Sequence, residues 1–138
     1  MRQTINIGGH EVAMAANAAS PFLYRKLFGE DFIAKLYADG NEVKDQINLI
    51  TRMAYVMMMQ AKAETGEIDR QTLYGMNMDG FYEWLEGIDD PMALHHASSD
   101  IVGLYFKTTN TTSKAKKAQG AGRSARTRQA STSSAVQS

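Results

Sequence analysis

The sequence predicts a mainly α fold, a small helical domain with an N-terminal β-hairpin and a disordered basic C-terminal tail. Three observations carry this. Apolar residues recur at helical spacing through Glu42–Ala63, alternation flanks Gly8-Gly9 near the start, and no aromatic residue occurs after Phe106. The expected division is an acidic helical domain with its hairpin over 1–107 and a basic tail or linker over 108–138. A chain of 138 residues with 43% hydrophobic content suits one domain with a real core.

Charge follows the same division. Residues 1–112 hold nine Lys/Arg against all fifteen Asp/Glu, a net −6; residues 113–138 hold six Lys/Arg and no acid, a net +6. There are no cysteines, which excludes a disulfide framework and thiolate metal sites. No uncharged apolar run is long enough for a membrane span. Met1-Arg-Gln-Thr-Ile-Asn-Ile7 lacks the apolar core and cleavage site of a signal peptide, so a cytosolic protein is expected.

Thr4-Ile-Asn-Ile7 and Val12/Met14 alternate on either side of Gly8-Gly9, the pattern of a two-residue hairpin. An isolated hairpin is marginal, so its Ile5/Ile7/Val12/Met14 face must lie on helices. Ser20 reads as the cap of a helix with Pro21 in its first turn and Gly29 as its terminator. A second short helix spans Asp31–Tyr37, stopped by Asp39-Gly40.

The long helix over Glu42–Ala63 is the organising element. Val43, Ile47, Ile50, Ala54, Met57 and Ala61 form one face, widened by Leu49, Met53 and Val56. At about 100° per residue, Tyr55 and Met59 project from the middle of the polar side, with Met58 at its edge. A helix apolar all round needs cover, either from another helix of the same chain or from a partner. Beyond a turn at Glu64–Glu67, a short helical turn is expected over Ile68–Leu73. Asp79 then caps Gly80–Glu86, and Asp90-Pro91 opens a final helix carrying Leu94, Ile101, Leu104 and Phe106.

Signs of catalysis are sparse. His10-Glu11 begins like a zinc-protease motif, but Met14 stands where the second histidine is required. Adjacent His95 and His96 point about 100° apart on a helix and do not chelate one ion; His96 and Asp100, four apart, are within reach of each other. Glu83, Glu86, Asp89 and Asp90 around Trp84 read as a solvated acidic face. The basic tail could neutralise phosphates, but it lacks interleaved aromatics for base stacking, so nucleic acid is not the expected partner.

Gly8-Gly-His-Glu-Val12, then Ser20-Pro-Phe-Leu-Tyr-Arg-Lys-Leu-Phe-Gly-Glu-Asp-Phe32, resembles the tail assembly chaperones of long-tailed (siphovirus-type) bacteriophages. The likeness continues through the Ala-, Met- and Tyr-rich long helix, Phe81-Tyr-Glu-Trp-Leu85, and Lys107-Thr-Thr109 with Lys116-Lys117. It covers roughly residues 4–117 and rests on the order of the series; none of its motifs is catalytic.

The resemblance implies a non-enzymatic oligomeric chaperone, without cofactor or metal, that coats the tape-measure protein before the tail tube polymerises. It implies action in the host bacterial cytoplasm and absence from the mature virion. A programmed frameshift near the end would yield a longer form that recruits the tail tube protein. Residues and resemblance together nominate Tyr55, Met58, Met59, Phe81, Tyr82 and Trp84 as the protein-binding surface. Two other readings remain open: a structural head–tail connector or tail virion protein, and a nucleic-acid-binding regulator acting through the basic tail.

Overall fold

A computed structural model describes the backbone of residues 2–38 and 43–120, and the side chains of all of these except 43–45 and 108–120. The chain divides into two units, Met1–Tyr105 and Phe106–Ser138. Mainly helical, it opens with a two-stranded antiparallel hairpin, β1 (Arg2–Ile7) and β2 (His10–Ala15). Six helices follow: α1 (Ser20–Phe28), α2 (Phe32–Leu36), α3 (Val43–Glu64), α4 (Arg70–Tyr74), α5 (Met78–Glu86) and α6 (Ala93–Gly120).

Ile7 pairs with His10 and Ile5 with Val12, leaving Gly8-Gly9 as a two-residue turn. Both glycines have positive φ, 61° and 87°, as the type I′ turn that matches strand twist requires. Asn6 Oδ1 closes the turn by accepting from Gly9 N–H at 3.1 Å. Period-two alternation puts Ile5, Ile7 and Met14 in the core and Val12 at its edge, the face expected to lie on helices.

Helix α3 is the hub: β2, α1, α2, α4 and α5 all pack on it. Met53 through Met58 are six consecutive buried residues, so α3 is enclosed all round at its middle. Gly29, at φ 72°, ends α1 with its N–H on Arg25 O at 2.8 Å. Asp31 Oδ1 caps α2 through Ala34 N–H at 3.0 Å, and the expected stop at Asp39-Gly40 lies outside the described residues. Asp69 caps α4 through Thr72 N–H at 2.7 Å, and that backbone hydrogen bond holds its carboxyl below the usual carboxylate range.

Two capping expectations are corrected. Ser20 is not the cap of α1, because it lies inside the first turn, fully buried, with its hydroxyl drawn to Gln60. Asp79 is not the cap of α5; Asn77 Oδ1 takes Gly80 N–H at 2.8 Å, and Asp79 stands in the first turn, where an acid suits the helix dipole. The backbone of α6 runs past Phe106 to Gly120, through the first part of the expected tail; residues 121–138 lie outside the described residues. Between Pro91 and Gly120 there is no proline, and Lys114–Gln119 are all good helix formers. Among the described residues, no helix is long and apolar enough to cross a membrane.

Candidate protein-binding surfaces

The residues nominated from sequence divide into three groups. Tyr55, Met58 and Phe81 are buried, at 4%, 6% and 4% exposure, which corrects the expectation that Tyr55 and Phe81 stand open to a partner. Met59 and Trp84 are half-buried against the core. Tyr82 alone is open, at 54%.

The chain's own α5 covers Tyr55. Its ring lies 5.5 Å from Phe81 and 5.5 Å from Trp84, and the Phe81 ring meets Phe28 edge-on at 5.1 Å. Gly80 makes the approach possible, since a Cβ there would stand 2.8 Å from the Tyr55 hydroxyl. Burial, and then the charge of Glu83, push the Tyr55 hydroxyl above its ordinary pKa.

Met58 instead lies at the floor of a groove of about 450 Å³ between β2 and the C-terminal half of α3. Val12, Ala13 and Ala61 complete its apolar lining; Glu11, Lys62, Thr65 and Glu67 form a rim of both charge signs. Lys62 Nζ is 3.8 Å from Glu67 carboxylate at this rim. An exposed pair at that distance contributes little to stability. Its main effect is to leave polar groups around an apolar trough, the arrangement that receives one row of side chains from an amphipathic helix.

On α5 the wheel separates sharply. Phe81, Trp84 and Leu85 turn inward, while Met78, Asp79, Tyr82, Glu83 and Glu86 lie on the open arc. The acidic run read from sequence is therefore a solvated face, with an exposed methionine and tyrosine beside it.

Comparison with protein-family models, curated proteins and solved structures gives no match.

Two polar clusters join residues that no motif in the sequence connects. Ser20 Oγ–H donates to Gln60 Oε1 at 2.6 Å and accepts from Asn17 N–H at 3.0 Å, and Gln60 Nε2–H donates to Asn17 Oδ1 at 2.9 Å. The cluster pins the β2–α1 connection to α3. Its two bonds to Gln60 join residues 40 and 43 apart, beyond any local pattern. In the second, the buried Tyr24 hydroxyl donates to Glu30 Oε2 at 2.5 Å, and Arg52 Nη1 pairs with the same oxygen at 2.9 Å while its guanidinium lies over Phe28. Burial, and then the bond to Glu30, raise the Tyr24 pKa well above that of a free tyrosine. Both clusters clamp helices to one another, and none of their residues lines the Met58 groove.

His96 and Asp100 do come together, with Asp90 and Asn6, around a polar hollow of about 400 Å³ beside the hairpin turn. Among the described residues, no group of three or more His, Asp or Glu side chains could hold a metal ion. His95 and His96 rings stand 6.1 Å apart, splayed as adjacent helical residues are.

Proposed function

We propose that this protein is a non-catalytic assembly chaperone that keeps a long helical client, the tape-measure protein of a long-tailed bacteriophage, soluble before the tail tube polymerises around it. The observation that carries the reading is the Met58-floored groove between β2 and α3 with its rim of mixed charge. A methionine floor adapts to varied apolar side chains, which a chaperone meeting many segments of one client requires. The ordered series of motifs from Gly8 to Lys117 supports the identity of the client. The protein works in the host cytoplasm and leaves before the virion is complete; a longer frameshifted form would bring in the tail tube protein.

The test is co-expression with the tape-measure protein of the same genome, followed by affinity capture from the soluble fraction. Wild-type protein is expected to render the client soluble and to co-purify in many copies per client. Thr65→Trp, at the exposed rim, fills the groove without touching the core and should abolish capture while thermal unfolding stays unchanged. A client that stays insoluble beside wild-type protein refutes the chaperone reading; retention in purified virions would then identify a connector. Capture undiminished by Thr65→Trp refutes the groove as the docking site.

A further inference from the structure

We propose that copies of this chain associate through two oppositely charged helix faces, the basic outer face of α1 on one copy against the acidic outer face of α5 on another. The inference is independent of the chaperone reading. On α1, Phe22, Arg25 and Lys26 stand at i, i+3 and i+4 and so share one face; Phe22 is 69% exposed, both cations are exposed, and the helix contains no acid. On α5, Met78 and Tyr82 are exposed beside Asp79, Glu83 and Glu86, and the helix contains no base.

Each face thus sets an open apolar group next to charges of one sign, and the two signs are opposite. Phe28 and Phe81 pack together on the inner sides of the same helices, which fixes α1 and α5 within one copy. Among the described residues, Arg25, Lys26, Asp79, Glu83 and Glu86 form no ion pair with one another or with other side chains. A second copy supplies the missing partners: Arg25 and Lys26 meet Glu83 and Glu86, a guanidinium reaches the Tyr82 ring, and Phe22 covers Met78. No other occupant is needed to satisfy both faces, because each is the complement of the other.

The experiment is sedimentation velocity on the full chain with a charge swap. Wild-type protein should associate, and association should weaken about tenfold or more between about 50 and about 500 mM salt. Arg25→Glu with Lys26→Glu, and separately Glu83→Lys with Glu86→Lys, should each weaken self-association about a hundredfold, because every contact becomes like against like. Mixing the two variants should restore association, since each then offers the face the other lacks. Phe22→Ser, which changes no charge, should weaken it as well, and circular dichroism should show all variants folded. A monomeric wild type, variants that still self-associate, or a mixture that stays monomeric would each overturn the proposal.

Discussion

Replacing Gly80 by alanine tests directly whether α5 is seated on Tyr55. In an ordinary helix the change is favourable by about 1 kcal/mol, because alanine loses less backbone entropy than glycine. Here the new methyl carbon would stand 2.8 Å from the Tyr55 hydroxyl oxygen, whereas the next neighbours, Asn77 Oδ1 and Tyr55 Cζ, are 3.5 and 3.9 Å away at ordinary contact. The ring cannot swing aside freely, since Phe81 and Trp84 hold it at 5.5 Å on two sides. Overpacking of this kind costs about 1–3 kcal/mol, so Gly80→Ala alone should be net destabilising by up to about 2 kcal/mol. In a Tyr55→Phe background the offending oxygen is gone, and the same substitution should stabilise by about 0.5–1 kcal/mol. The coupling across the double-mutant cycle is therefore about 1–3 kcal/mol, well outside the scatter of independent sites. Urea unfolding of the four proteins, followed by the fluorescence of Trp84, measures it. Equal effects of Gly80→Ala in both backgrounds would refute the packing of α5 on α3.

Two further outcomes follow from the buried polar groups. Ser20→Ala should cost about 1–3 kcal/mol in chemical denaturation, because it strips Gln60 Oε1 and Asn17 N–H of a partner at a site with Ser20 wholly buried and Gln60 3% exposed; a loss within the error of the measurement would mean that water replaces the hydroxyl. Tyr24, Tyr55 and Tyr105 all have hydroxyl pKa values raised first by burial, so the unfolded chain gives up these protons at lower pH than the folded one. Their contribution is fully present below the unfolded value of about 10 and is lost as pH rises through the folded values. Stability should therefore fall above about pH 10, with a shallower fall in Tyr24→Phe; an identical slope in the two proteins would contradict the raised Tyr24 pKa.

What the sequence made legible was local. Gly8-Gly9 between alternating residues specifies a hairpin because two adjacent glycines readily take the two positive φ angles of a type I′ turn, and Gly29 and Asp31 end and begin helices by contacts within four residues. The periodicity of α3 went further, showing that Tyr55 needed cover. It could not show what covers that ring, since this depends on Gly80, far along the chain, letting α5 approach. Ser20 failed as a cap for the same kind of reason. Serine before proline favours a cap on local grounds, but Gln60, distant in the chain and adjacent in space, took the hydroxyl into the core.

The surfaces show the opposite bias. The acidic run of Glu83, Glu86, Asp89 and Asp90 stands out in the sequence, whereas its counterpart at Arg25 and Lys26 does not. Two cations in a helix are unremarkable until Phe22 is seen standing in solvent beside them. A large aromatic side chain left 69% exposed forgoes the burial of apolar surface worth about 25 cal/mol per Å², and an acidic helix bearing Met78 and Tyr82 forgoes the same. When one chain leaves both uncovered and gives them opposite charges, covering each with the other recovers the apolar term and pairs the charges in a single contact. That is a property of two faces together, which neither helix shows alone.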